Sequence, residues 1–391
     1  MQKCDVVIIG AGAAGLMCGI EAGKRGLNVF VLEKSEKIGK KILISGGGRC
    51  NFTNLNATAK SYQSENEHFC KSALARYTQK DFITLVEKHD IEYYEKKLGQ
   101  LFCKDSSRQI VELLQNECNA AKVKIRCDCE VIKISNQGNF QIETNQGSFE
   151  SKSLVIATGG ISIPKMGATG FGYDIAKQFG LNITERLPGL VPFIFDQNYL
   201  NYFSDLSGIS IDAKVSCRNI TFRENILITH KGVSGPAILQ ISSYWRKGDS
   251  VKIDLLPDID ISEIITNQIK ENGLVEIKTL LSNYLAKRFV QRIFESWLES
   301  KPVKQLLPKD IQKISDFFHN WIITPIDTEG YKTAEVTLGG VDVNEISSKT
   351  FESTKMPNLY FIGEVIDVTG WLGGYNFQWA WSSGFCCGQY V

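Results

Sequence analysis

Residues 6–9 form an unbroken β-branched run, the pattern of a strand covered on both faces. A helical pattern follows to about Lys24, Gly26 ends it, and residues 28–32 make a second apolar strand. Residues 123–157 alternate apolar and polar positions in three runs, VKIRCDCEVIKI, NFQIET and GSFESKSLVIA. Turns at 136–138 and 145–147 separate them, which predicts a meander. LYFIGEVID is a last apolar strand. The closing GWLGGYNFQWAWSSG predicts a short helix through Gln378, Ala380 and Ser383, with Asn376 as its cap. Trp371, Trp379 and Trp381 fall at core spacing.

Between about 190 and 338 the pattern changes. ISIDAKVSC, ITFRENILITH and VKIDLLP predict antiparallel strands in a small barrel-like arrangement, and helical spacing follows at 261–270, 275–298 and 308–321. AEVTLGGV returns the chain to the first pattern. The expected organisation is an α/β domain of residues 1–189 and 339–391, interrupted by an inserted domain at 190–338. Within the insertion, 190–257 and 324–338 should be mainly strands and 258–323 mainly helices.

The amino-terminal pattern carries chemistry. Gly10, Gly12 and Gly15 stand in G-x-G-x-x-G spacing between the first strand and the helix, and Glu33 ends the second strand. The glycines permit a tight turn and close approach of a pyrophosphate to the helix amino terminus, while the acid accepts ribose hydroxyls. An acid at position 33 disfavours a ribose phosphate, so FAD or NAD fits better than NADP.

Three strand ends break into glycine or small polar residues: the fingerprint itself, Thr158 with Gly159, and Gly363 with Glu364 and Asp367. One long ligand across the sheet's carboxyl edge accounts for all three, and FAD is long enough. KKILISGGGRCNFTN adds a stretch stripped of side chains at Ser45, Gly46, Gly47 and Gly48. Lys41 and Arg49 there offer positive charge, and Asn51 offers a hydrogen bond to a polar ring edge. Arg49 is also a candidate for an acidic substrate group, and Cys50 for a thiol near the flavin.

Composition narrows the class. The 391 residues carry 44 Lys plus Arg against 43 Asp plus Glu, for a net charge of +1. That balance gives no footprint for nucleic acid or anionic membrane, so neither is an expected partner. No apolar run approaches the ~18 residues of a spanning helix, and no signal-peptide pattern opens the chain, so a cytoplasmic location is expected. Eleven cysteines show no C-x-x-C or zinc-ligand spacing, so reduced thiols and no metal are expected.

KKILISGGGRCNFTN, ATGGISIPKMGATGFGYDIA, THKGVSGPAILQIS, AEVTLGGV and YFIGEVIDVTGWLGGYNFQWAWSSG together resemble the YhiN/BaiN-like flavoprotein family, which carries labels such as NAD(P)/FAD-dependent oxidoreductase and aminoacetone oxidase family. The resemblance implies a glutathione-reductase-like FAD domain with an inserted domain. It places FAD contacts at Gly10, Gly12, Ala14, Gly15, Glu33, Lys34, Lys41, Ser45, Gly46, Gly47, Gly48, Arg49, Cys50, Asn51, Val131, Thr158, Gly159, Glu364, Asp367, Asn376 and Phe377. An acid at Phe171 and a histidine at Leu181 are expected of the family, and both positions are apolar here.

The function expected is hydride transfer between bound FAD and a small organic substrate, with NAD(P)H as a transient donor, since no second glycine fingerprint provides a nicotinamide domain. His230, in THKGVSGPAI, is a candidate proton donor. A competing reading is a flavin-containing binding or RNA-modifying protein whose inserted domain recognises a macromolecule. A basic face on 275–315, with Lys278, Lys287, Arg288 and Arg292, would favour it. A flavin-free NAD dehydrogenase is the third reading, and protein colour separates it from the others.

Overall fold

The β-branched run closes the strand Gln2–Ile9, where Val6, Val7, Ile8 and Ile9 are all buried. The computed structural model describes residues 1–271 and 273–391, apart from the side chain of Ser204. In it, this strand pairs in parallel with Val29–Leu32 on one side and Gly147–Ile156 on the other. Lys124–Arg126 extends the parallel set beyond Val29–Leu32. Gly147–Ile156 serves two partners: residues 147–151 pair antiparallel with Phe140–Thr144, and residues 154–156 pair in parallel with Leu359–Phe361.

Register decides where a ligand can lie. Ile9 pairs with Leu32 and with Ile156, and Ile156 pairs with Phe361. Four strands therefore end in one row, and the chain leaves the sheet there at Gly10, Glu33, Ala157 and Ile362.

The alternating run at 123–134 divides instead of forming one strand. Asp128 takes φ +52°, and the N–H groups of Asp128 and Cys129 donate to Ser35 O and Glu33 O. Those bonds leave the ladder, so only Val131–Asn136 joins the meander. The closing helix is also longer than its pattern indicated, at 14 residues from Tyr375–Gly388. It packs closely on Ala13–Lys24: a Cβ on Gly384 would stand 2.4 Å from Ala14 O, and one on Gly388 2.8 Å from Cys18 O. Trp379 and Trp381 are buried in this layer.

Met1–Leu187 with Val336–Val391 form one compact unit, and Pro188–Glu335 forms another. The second unit has an antiparallel sheet in the order Trp321–Ile323, Val251–Asp254, Ser210–Cys217, Ile220–Ile228, Gly232–Ser234, Phe193–Ile194, Asp327–Thr328. Its strand-rich part also holds helices Gln197–Phe203 and Pro236–Ser242. The helical run at 275–298 splits into Ile277–Leu281 and Lys287–Ser296. Ala286, with extended ψ of 127°, breaks the repeat between them. The run at 308–321 stops at His319, because Trp321–Ile323 pairs with Val251–Asp254. No helix among the described residues is long and apolar enough to cross a membrane.

Candidate functional site

The turn after Gln2–Ile9 uses its glycines for different reasons. Gly10 sits at φ +107°, and a Cβ there would stand 2.5 Å from Ala157 O. A Cβ on Gly15 would stand 2.0 Å from Gly10 O, so helix and turn can meet only without one. Gly12 faces the other way: nothing lies within 4 Å of where its Cβ would be. It stands at the start of the 12-residue helix Ala13–Lys24, whose first turn, including Ala14, has no side-chain cap. Free N–H groups at that end suit a diphosphate.

Glu33 lies beside this turn. Its Oε2 accepts from Ala11 N–H at 3.0 Å and its Oε1 from Ser35 N–H at 2.8 Å. The carboxylate is held in place, and each oxygen keeps a lone pair for a ribose hydroxyl. Cys129 N–H donates to Glu33 O at 2.9 Å, which brings the segment leading to half-buried Val131 to the same strand end. Lys34 is exposed.

At the next strand end, Thr158 Oγ1 is buried without a hydrogen-bond partner among the described residues. Leaving such a hydroxyl unsatisfied costs about 1–3 kcal/mol, and a ligand that bonds it removes the cost. Gly159 follows at φ +71°. Beyond it, Glu364 gathers a network: Oε2 accepts from Lys41 Nζ at 2.8 Å, and Oε1 accepts from Thr337 N–H at 2.9 Å and Ser162 Oγ at 3.2 Å. Lys41 Nζ also donates to Ser162 Oγ at 2.7 Å. Sequence reasoning passed over Ser162 and Thr337. The available signal was a small hydroxyl residue at each of two glycine-bearing strand ends, GGIS and TLGG.

Gly363 carries the third strand end to the first helix: its Cβ would stand 2.9 Å from Ala14 Cβ, and its N–H donates to Ser383 Oγ at 3.1 Å. Asp367 is buried, and Oδ2 accepts from Glu65 N–H at 2.9 Å. Burial pushes its carboxyl pKa up; the Glu65 N–H opposes this, while the Glu65 and Asp342 charges add to it.

The glycine run is a tight turn, Ser45–Gly48, after the short helix Lys40–Ile44. Gly46 is packed, its Cβ site 2.8 Å from Phe102 Cε1, whereas Gly47 and Gly48 face open space at φ +66° and +84°. Arg49 is exposed, with Nη1 donating to Tyr94 OH at 3.2 Å. Cys50 is fully buried at φ +46°, and burial drives its thiol pKa far above the ordinary value. All eleven cysteines are free thiols, and among the described residues no cluster of metal-ligating side chains occurs.

Two amides are used by the protein itself. With its nitrogen facing Leu101 O and Thr53 O, Asn51 accepts from Gly374 N–H at 3.2 Å. Asn376 is not the helix cap. Gly374 takes that place at φ +95°, and Asn376 reaches back to Gly370, accepting from its N–H at 2.8 Å and donating to its O at 2.9 Å. Phe377 is half-buried and stacks on Trp381. Phe171 opens the helix Phe171–Gln178, and Leu181 is buried. His230 belongs to the second unit, exposed in the turn between Ile220–Ile228 and Gly232–Ser234, where it makes no hydrogen bond or ion pair among the described residues.

The residues of the first unit fit FAD on two observations: the open face at Gly12, and the orphaned Thr158 hydroxyl at the neighbouring strand end. Fold and site define a dinucleotide-binding flavoprotein, an FAD-dependent oxidoreductase. The chain belongs to the HI0933-like protein Rossmann domain family, whose model matches residues 4–390. It is 50% identical over 392 residues to a ribosomal RNA dihydrouridine synthase of Escherichia coli, covering 100% of this chain and 98% of the relative. A 3-dehydro-bile acid delta(4,6)-reductase of Clostridium scindens is 30% identical over 403 residues, covering 98% of this chain and 97% of that one. Among solved structures, the 3-ketosteroid-delta4-(5alpha)-dehydrogenase of Rhodococcus jostii RHA1 matches with TM-score 0.50 and 14% identity, over 99% of this chain and 97% of that one, a likeness of fold alone.

These relatives correct one expectation. The E. coli protein is named for an RNA substrate, so excluding nucleic acid on a net charge of +1 does not stand. A whole-chain sum averages acidic and basic faces and hides local ones.

Proposed function

We propose that the protein reduces the C5=C6 double bond of a uracil in ribosomal RNA, using FAD as its hydride carrier. The observation that carries this is 50% identity across 98% of the length of a ribosomal RNA dihydrouridine synthase. The bile acid reductase relative supports the reaction type, because both names describe saturation of a double bond, and a uracil C5=C6 is conjugated to a carbonyl. FAD held by these residues would, in its reduced form, supply a hydride, and with one added proton the base would gain the two hydrogens of the saturated bond.

The chain's own part is to bind and orient. Gly10, Gly12, Ala14 and Gly15 receive the diphosphate, and Glu33 with Lys34 and Val131 holds the adenosine end. Thr158, Gly159, Gly363, Glu364 and Asp367 line the path towards the ring, Lys41 acting through Glu364. The turn Ser45–Gly48, with Cys50, Asn51, Asn376 and Phe377 behind it, backs the flavin. Arg49, exposed at the end of that turn, pairs with an RNA phosphate. His230 is the candidate proton donor, and NADH or NADPH is the proposed electron source.

The test is mass spectrometry of ribosomal RNA, made without this protein, after incubation with holoprotein and NADPH or NADH. Dihydrouridine should form at one position. Bleaching of the flavin by either nucleotide with no gain of two hydrogens in any RNA would defeat the proposal. His230→Gln should slow turnover at saturating RNA without weakening RNA binding, and full turnover in that variant removes the histidine from the reaction.

A further inference from the structure

We infer that the second unit carries an RNA-docking surface centred on Tyr284, Lys287 and Arg288, where an unpaired base enters a cleft and its flanking phosphates meet the cations. The inference rests on the RNA-reducing reading and adds to it where the RNA is held.

A cleft of about 240 Å³ lies in this unit, with apolar walls that include Ile211, Leu255, Leu256 and Pro257. Tyr284, Leu285 and Ala286 close one side, and Tyr284 is 41% exposed. At ~30 Å³ per water the space equals about eight waters, on the scale of one planar ring. The polar end of the cleft selects among ligands. Arg223 is held there by two carboxylates, donating to Asp258 at 2.6 Å and to Asp212 at 2.9 Å. Two acids against one cation repel a phosphate, while their remaining lone pairs accept N–H groups from a base edge.

Outside the cleft the sign reverses. Ala286 leads directly into the helix Lys287–Ser296, which exposes Lys287 and Arg288 and buries Phe289, Val290 and Ile293. Lys278 is exposed on Ile277–Leu281, and Lys304 on the turn Val303–Gln305. Ile277 N–H donates to Lys301 O, and Val303 N–H to Val275 O, which ties those two segments together. Over residues 278–313, eight Lys and Arg stand against three acids, whereas the whole chain is balanced. Arg292 and Lys301 are ion-paired, with Asp205 and Glu299. Lys278, Lys287, Arg288 and Lys304 make no ion pair among the described residues.

On a solvated helix face, an acid four residues from a cation adds a stabilising ion pair. Here the residues four beyond Lys287 and Arg288 are Gln291 and Arg292. Unpaired cations beside an exposed aromatic ring and an apolar slot form the combination that holds single-stranded RNA, with phosphate contacts for affinity and stacking for the base.

The experiment measures binding of protein-free ribosomal RNA by full-length holoprotein across a salt series. K287A/R288A should weaken binding at least 10-fold and reduce the slope of log affinity against log salt by about 2. Tyr284→Ala should weaken binding roughly 5- to 100-fold with the slope unchanged, and Tyr284→Phe should restore it. Flavin absorbance and Tm should stay at the parent values in all three. If the parent binds RNA and these variants bind it equally well with the same slope, the surface lies elsewhere and this inference fails. If the parent neither binds nor modifies RNA, the RNA reading itself fails. Retention on phosphatidylserine vesicles but not on RNA would overturn the assignment in favour of a membrane.

Discussion

Lys41 Nζ lies 2.8 Å from Glu364 Oε2, a contact that spans 323 positions of chain. It joins the short helix before the glycine run to the last strand end of the sheet, with Ser162 Oγ bridging both side chains. The pair is half-buried, at 34% and 19% side-chain exposure, so it lies between a screened surface contact and a costly buried one. Lys41→Met should destabilise the protein by about 1–2 kcal/mol, because Glu364 keeps two other donors. A double-mutant cycle with Glu364→Gln should return a coupling of roughly 0.5–2 kcal/mol by urea unfolding. Additive losses would mean the contact does not hold the two segments together.

The fingerprint glycines make opposite predictions in apoprotein and holoprotein. Gly15→Ala forces a Cβ to within 2.0 Å of Gly10 O, so it should destabilise even the apoprotein, by about 1–3 kcal/mol. Gly12 has φ −86° and ψ −172°, which alanine adopts freely, and open space where the Cβ would go. Gly12→Ala should therefore leave the apoprotein Tm unchanged and weaken FAD binding at least 10-fold, as read by flavin fluorescence on titration. An apoprotein Tm lowered by Gly12→Ala would show that this face is closed by protein.

Much of this site was legible because its requirements are local. Gly10, Gly12, Gly15 and Glu33 follow from a strand, a turn, a helix and a second strand, all within 30 residues. Thr158, Gly363 and Glu364 were visible as strand ends that shed their side chains, and the register of Ile9, Ile156 and Phe361 explains why they share an edge. Long-range partners were not legible. Asn376 has the chemistry of a helix cap, yet Gly374 takes the cap and Asn376 ties down Gly370. The break at 127–130 depends on carbonyls of Ser35 and Glu33, some 90 residues away, which no periodicity reports. The basic face on 275–315 was visible in the sequence, but whole-chain neutrality concealed its meaning.

Cys50 sits beside the glycine turn and invites a redox reading that its burial opposes. Desolvation raises its thiol pKa far more than the Ser45 hydrogen bond lowers it, so the nucleophilic thiolate is scarce at neutral pH. Iodoacetamide at pH 8 should leave Cys50 unlabelled in native protein and label it in urea, as mapped by peptide mass spectrometry. Cys50→Ser should keep the rate of flavin reduction within about 3-fold of the parent. Rapid native labelling would put a reactive thiol back at the site.

Asp367 should give the protein a stability term of unusual sign. Burial raises its pKa above the 3.8 of an unperturbed side chain, so the folded protein holds this proton more tightly than the unfolded chain. Its contribution is fully favourable below the unfolded value and is lost as pH climbs through the raised folded value. Asn cannot ionise, and its side-chain oxygen can still accept from Glu65 N–H. The difference in apoprotein stability, Asp367→Asn minus parent, should therefore increase from pH 4 upward and level off once the parent carboxyl has ionised. FAD should bind the variant more weakly at neutral pH, because an uncharged amide is a poorer acceptor for flavin hydroxyls than a carboxylate. Urea unfolding of apoprotein and holoprotein at pH 4.5 and pH 7 reads both effects. A difference that shrinks with rising pH would mean that this carboxylate is stabilised, not penalised, by its surroundings.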